Sequence, residues 1–185
     1  MANRSRVSAE QLHFSDELRN SIKNESPVPS VLMVGARIEG ALGLLLEKYL
    51  ISGSTSEKML YGQNGTLSTF IARADMCYCL SLIPKDVYEQ IVLIGTIRNA
   101  FAHSPTPLDF DDTEIAKHWA KLKFPESSMG EWPEIIKKHT AKNPRMRVIS
   151  IGSAIFGMIL STLIRRTKKV ERRWDRAGNQ SQFRS

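Results

Sequence analysis

The sequence predicts an all-α protein, a single-domain antiparallel helical bundle. Three observations carry that prediction. Apolar residues return at helical spacing in several successive stretches, no stretch alternates apolar and polar residues at the period of a strand, and the breaks between periodic stretches are rich in Gly, Pro, Ser and Asn. A chain of 185 residues with 42% apolar content is the size of one domain and can bury a real core.

The elements follow in order. Met1 to Asn24 read as a polar helix or arm whose Leu12, Phe14, Leu18 and Ile22 are spaced to dock a short apolar edge, and Pro27 and Pro29 break it off. The opening MANRSRVSAEQ lacks the apolar core of a signal peptide, so a cytoplasmic protein is expected. Val31 to Leu50 is the first strong helix, with Leu32, Ala36, Glu39, Gly43, Leu46 and Leu50 on one stripe and Arg37 on a solvated side. A carboxylate on an apolar stripe needs a cation, which makes Glu39 a candidate for a buried pair. Gly35, Gly40 and Gly43 each cost a helix up to about 1 kcal/mol unless another helix approaches closely there.

Ile51 to Thr66 reads as a connection with a turn at Asn64-Gly65. The next helix, Leu67 to Ile83, turns Leu67, Phe70, Ile71, Ala74 and Tyr78 inward and carries Asp75 at the edge of that stripe. Its Cys77 and Cys79 are the only cysteines; two apart on a helix they diverge by about 200°, so they read as two buried thiols in a reducing cytosol rather than a metal site. No metal and no cofactor are expected.

Leu82 to Asp112 carries the most information. Pro84, Asp86 and Glu89 start a helix and Ser104-Pro105 stops it, which leaves His103 in the last turn. At about 100° per residue, Val87, Ile91, Ile94, Ile97 and Phe101 share a stripe, and Arg98 projects from its middle. Leaving a guanidinium buried and unpaired costs several kcal/mol, so the fold must supply a carboxylate, a subunit interface, or a wet cleft completed by a ligand anion. Glu39 is the first candidate acid for Arg98, and Asp75 the second, for Arg98 or for His103. Tyr88, Val92, Gly95 and Ala102 form a second apolar strip on the same helix, available for self-association into a homodimer.

Beyond two prolines that keep Ser104 to Asp112 extended, Asp112 or Thr113 can cap a helix from Glu114 to Leu122, with Ile115, Trp119 and Leu122 inward and His118 on the surface. Lys123 to Pro144 is long and mixed, with a short helix at Glu134 to His139. From Arg145 runs the last, apolar helix. Val148 to Ile164 is seventeen residues without a charge, short of the roughly 20 that span a bilayer, and its Ser150, Gly152, Ser153, Gly157, Ser161 and Thr162 suit close packing in a bundle centre. A buried core helix, and no membrane, is the reading. We therefore divide the chain into an arm (1–29), a bundle (30–166) and a flexible basic tail (167–185).

That tail explains most of the formal charge of +7: from Arg165 to the end, eight Lys or Arg stand against Glu171 and Asp175. Arg165, Arg166, Lys168, Lys169, Arg172 and Arg173 are the candidate nucleic-acid contacts, with Trp174 able to stack a base; a merely solvated tail fits the same composition.

Arg98, the polar Asn99 directly after it and His103 five positions on resemble the Arg-x4-6-His motif of HEPN domains, all-helical modules many of which cleave RNA without a metal. A wider likeness, from Val31 to Ile164, resembles the mannitol operon repressor (MltR) family, most tellingly in Tyr61-Gly62-Gln63-Asn64-Gly65-Thr66-Leu67-Ser68 and in the Arg98 to Asp112 run. Both resemblances imply a helical bundle with an Arg and a His near the end of one helix. They imply different activities.

For an HEPN-like endoribonuclease of toxin or defence type, the RNA brings its own nucleophile, the 2′-hydroxyl. Catalysis then needs a proton carrier, His103, and a group to stabilise charge at phosphorus, Arg98, with Asn99 orienting the phosphate or the His. On an ideal helix Arg98 and His103 diverge by about 140°, so they converge only if His103 leaves the helix, or if two subunits share a groove as HEPN nucleases are understood to do. The repressor likeness implies instead a non-enzymatic transcriptional regulator working through protein contacts, because no DNA-reading element is visible. RNA or a regulator- or antitoxin-like protein is the expected partner.

Overall fold

The computed structural model describes residues 27–106, 108–127 and 134–181, and the expected arm Met1–Asn24 lies outside the described residues. The chain is all-helical: seven helices and no strand among the described residues. They are α1 (Pro27–Glu47), α2 (Ser54–Tyr61), α3 (Phe70–Cys79), α4 (Lys85–His103), α5 (Thr113–Trp119), α6 (Glu134–Ala141) and α7 (Pro144–Ser181).

The hub is α1, which packs against α7, α4, α3 and α2. Val31, Val34, Ile38, Leu42, Leu45 and Leu46 are buried along it, each no more than 1% exposed. The stripe expected from the sequence is rotated from this face: Ala36 is exposed, and Leu32 and Glu39 are half-buried. The helix is apolar nearly all round, so periodicity alone could not choose its phase. It also begins earlier than expected, since Pro27 and Pro29 stand in its first turn, where a missing N–H breaks no intrahelical bond.

Against α1 lies α7, whose Val148, Ile151, Ile155 and Ile159 are buried. The two backbones cross at Gly152, where an added Cβ would stand 2.3 Å from Val34 Cγ1, so the small-residue pattern expected in this helix does serve close packing at that position. Both α1 and α7 are long and apolar enough to cross a membrane by length and composition, but they are packed on each other in the bundle. The two expected domain boundaries, 29/30 and 166/167, fall inside α1 and α7.

Two local differences from the sequence expectation have plain causes. α3 starts at Phe70 rather than Leu67 because Thr69 caps it, Oγ1 accepting from the Ala72 N–H at 3.3 Å. The connection expected between 51 and 66 contains α2, which buries only Leu60 and so leaves little periodic signal. α4 has the expected bounds, and Asp86 in its first turn holds the chain after α5 by accepting from the Ser127 N–H at 2.8 Å and from the Ser127 hydroxyl.

Candidate functional site

Arg98 leaves the buried face of α4 (Val87, Ile91, Ile94, Ile97, Phe101) and runs across α1. An added Cβ at Gly35 would stand 2.6 Å from Arg98 Cδ, so the arginine stem occupies the space that the glycine leaves. The Arg98 guanidinium carbon lies 5.7 Å from the centre of the Phe70 ring on α3, and Nη2 reaches Glu39 Oε2 on α1 at 3.3 Å. The side chains remain 30% and 22% exposed respectively, so this pair sits at a wet seam between three helices rather than in a sealed core. Among the three partners expected for Arg98, the fold supplies the carboxylate. An incoming anion would share the guanidinium with Glu39, whose Oε2 faces Nη2.

Asp75 is engaged elsewhere. It accepts the Tyr88 hydroxyl at 2.8 Å, and that bond pushes the Tyr88 phenol above its ordinary value; Tyr88 in turn stacks on Tyr78, centroids 4.7 Å apart. The strip expected to serve self-association is thereby largely used inside the chain: beside Tyr88, a Cβ at Gly95 would meet Phe70 Cε1 at 2.9 Å and Ile71 Cδ1 at 3.0 Å. Ala102 alone of that strip is exposed.

His103 is the last residue of α4 and is exposed, as is Asn99. The helix stays regular to His103, and Ser104 then turns extended at φ −68° and ψ 131°, its hydroxyl donating to Thr106 O at 2.6 Å. On such a helix His103 stands about 140° round and about 7.5 Å along from Arg98. Within one copy of the chain, Arg98 and Glu39 are brought together; Arg98 and His103 leave α4 on different sides.

The sequence reading overlooked a second inward arginine. Arg73 on α3 is buried, with 9% of its surface exposed, and no carboxylate pairs with it among the described residues. Its Nε donates to Leu67 O at 2.9 Å, Nη2 to Leu60 O at 2.8 Å and Nη1 to Glu39 O at 3.1 Å, and its guanidinium carbon lies 5.7 Å from the Tyr61 ring centre. Leu60 O belongs to the last turn of α2, where a cation also meets the negative end of the helix dipole. The signal was available: Phe70, Arg73, Ala74 and Cys77 form one helical stripe, the same pattern that exposed Arg98.

Arg73 gives the Tyr61–Ser68 run its physical meaning. That run folds back on α2 through Gly62 N–H to Lys58 O (3.0 Å), Gly65 N–H to Gly62 O (2.9 Å) and Leu67 N–H to Met59 O (2.9 Å). A Cβ at Gly62 would lie 2.4 Å from Lys58 O, and one at Gly65 would lie 2.4 Å from Met59 O, so glycine is required at both. Arg73 then ties the end of the run to α1 and α2.

Cys77 is buried, and burial pushes its thiol up to about 12; Cys79 is exposed, which corrects the expectation of two buried thiols. Among the described residues no three His, Cys, Asp or Glu side chains gather where a metal ion could sit. In the tail, Arg165 is exposed, whereas the side chains of Arg166, Lys168, Lys169, Arg172, Arg173 and Trp174 lie outside the described residues.

Compared with known proteins, the chain matches no protein-family model and no curated protein. Among solved structures it is similar to a chain of the X-ray structure of the MtlR–HPr complex from Escherichia coli, with a TM-score of 0.53 and 18% sequence identity, over 82% of this chain and 98% of that one. The fold is therefore MtlR-like, in agreement with the wider of the two sequence resemblances.

Proposed function

We propose that the protein is a non-enzymatic regulator of the MtlR kind that acts by binding another protein, with HPr as the first candidate. The observation that carries this reading is the likeness in shape, which extends over nearly the whole of a chain solved in complex with HPr. The seam supports it as well. Arg98 is balanced by Glu39 and wedged between Gly35 and Phe70, the arrangement expected of a lock between helices. We place the regulator in the cytoplasm and away from membranes, since its two long apolar helices cover each other. The reading needs no second copy of the chain.

The endoribonuclease reading, with Arg98, Asn99 and His103 acting on RNA through its 2′-hydroxyl, competes with it. It draws support from the partial exposure of Arg98 and the exposure of Asn99 and His103. It must also bring His103 round from another side of α4.

Affinity capture on the full-length chain, with RNase-treated lysate and a parallel incubation with RNA in EDTA, separates the two. The regulator reading predicts a stoichiometric protein partner that is retained by His103→Ala, and intact RNA. RNA cleavage that Arg98→Ala and His103→Ala each abolish in folded protein would overturn it.

A further inference from the structure

A glycine in a helix interior is destabilising relative to alanine, so each one calls for a reason. Three such reasons lie inside the bundle. The Arg98 stem occupies the space beside Gly35, the Arg73 guanidinium would stand 3.0 Å from a Cβ at Gly43, and Val34 fills the notch at Gly152. Gly40 has no such neighbour. A Cβ there would meet nothing within 4 Å, and the residue is exposed.

Gly40 belongs to an open strip of α1. Ala36, Arg37, Gly40, Leu44 and Glu47 are all exposed, and at about 100° per residue they fall within an arc of about 100°, turned away from the buried Val34, Ile38, Leu42 and Leu45. Leu44, in the last turn, is 49% exposed, and Ile51, just past the end of the helix, is 74% exposed. Tyr61 edges the strip, its hydroxyl donating to Glu47 Oε2 at 3.0 Å.

The strip is complementary to itself. When two copies of α1 lie antiparallel about a two-fold axis midway between Gly40 and Leu44, each Leu44 stands over Gly40 of the partner subunit, a knob over a notch. Arg37 comes three residues before Gly40 and Glu47 three after Leu44, so the same axis sets Arg37 opposite Glu47 of the partner subunit, once on each side. A parallel pairing would set like charges together and leave the notch empty. An unrelated helix would have to carry both the leucine and the charges in reverse order; a second copy carries them by symmetry.

We propose that two copies of the chain pair through this strip of α1, antiparallel, with Leu44 seated on Gly40 and Arg37 facing Glu47 across the axis. Self-association then falls on α1 rather than on the α4 strip, which the chain largely uses internally. The contact is short: residues 36–47 extend roughly 17 Å. It falls below the roughly 800 Å² per partner of a standard interface, so the dimer is weak and reversible, with Kd about 10–100 μM.

Sedimentation equilibrium of the full-length chain, from a few to several hundred micromolar, tests this. The expected result is a monomer–dimer equilibrium. Leu44→Glu and, independently, Gly40→Leu weaken dimerisation by about tenfold or more. In dilute solution, where the parent is monomeric, Gly40→Leu melts no lower than the parent, because the site has open space for a side chain. Arg37→Glu and Glu47→Arg each weaken the dimer, and the two together restore it, a reversal that loss of a contact within one chain does not produce. A chain that stays monomeric throughout overturns the proposal, whether another protein or the residues before Pro27 take the strip. A dimer that survives both Leu44→Glu and Gly40→Leu overturns it, as does a double charge swap no tighter than the single ones.

Discussion

Replacing Arg73 with methionine removes the buried cation that ties α3 to the end of α2 and to α1. The cost follows from its three bonds. Leu60 O and Leu67 O are acceptors of buried bonds, and each loses its partner at about 1–3 kcal/mol; Glu39 O, on α1, accepts in a part-buried bond and loses less. Against this, the parent spends free energy desolvating a guanidinium that methionine does not require. The balance is a destabilisation of about 2–4 kcal/mol, within the roughly 5–15 kcal/mol of a typical domain, so the variant remains folded in water. Lysine does not rescue it, because one ammonium on a flexible stem cannot serve three carbonyls reached at 2.8–3.1 Å by three different nitrogens. Urea unfolding followed by circular dichroism measures the difference, and amide exchange at Leu67, whose N–H donates to Met59 O, reports whether the 61–68 run loosens first. An Arg73→Met loss below about 1 kcal/mol, or an Arg73→Lys variant as stable as the parent, would refute the staple.

Three further outcomes follow from the same packing. Gly152→Ala puts a methyl 2.3 Å from Val34 Cγ1 and destabilises by about 1–3 kcal/mol, whereas Gly40→Ala, with nothing within 4 Å, stabilises by up to about 1 kcal/mol; paired urea melts should move in opposite directions. A thiol reagent at neutral pH labels Cys79 quickly in the native protein and Cys77 only on unfolding, so mass spectrometry finds one modification before denaturation and two after. For Asp86, burial raises the carboxyl, but the bonds from the Ser127 hydroxyl and N–H, together with those from the Val87 and Asp86 backbone N–H groups, outweigh it and hold it below the usual carboxylate range. A depressed native value means that its stabilisation is present above the unfolded carboxylate value near 4 and is lost as pH falls through the lower native one. Ser127→Ala therefore lowers the thermal midpoint at neutral pH and flattens its decline below pH 4.

How much of this was legible depended on whether a residue broke a pattern. α4 was readable because Pro84 and Ser104-Pro105 punctuate both ends, and the Arg98–Glu39 pair because two charges interrupt two apolar helices. The phase of α1 was not, since Leu32 and Ala36 suggest an apolar stripe beside the buried one through Val34, Ile38 and Leu45. Arg73 was overlooked although it breaks its stripe in the same way, because its partners are backbone carbonyls, which no side-chain pattern reveals. Asp75 was expected to face Arg98 or His103, but Tyr88 lies on α4 within its reach and takes it. The Tyr61–Ser68 run carried a family likeness before it carried a physical reason; the reason is the fold-back that Gly62, Gly65 and Arg73 hold.

Isothermal titration of the full-length chain with purified HPr tests most directly whether the protein recognises another protein rather than cleaving RNA. A saturable complex at one-to-one stoichiometry, with Kd in the micromolar range or tighter and unaltered by His103→Ala, is the predicted result. No detectable complex at concentrations of several hundred micromolar would contradict the assignment of HPr as partner, and RNA cleavage by the same preparation would contradict the central claim itself.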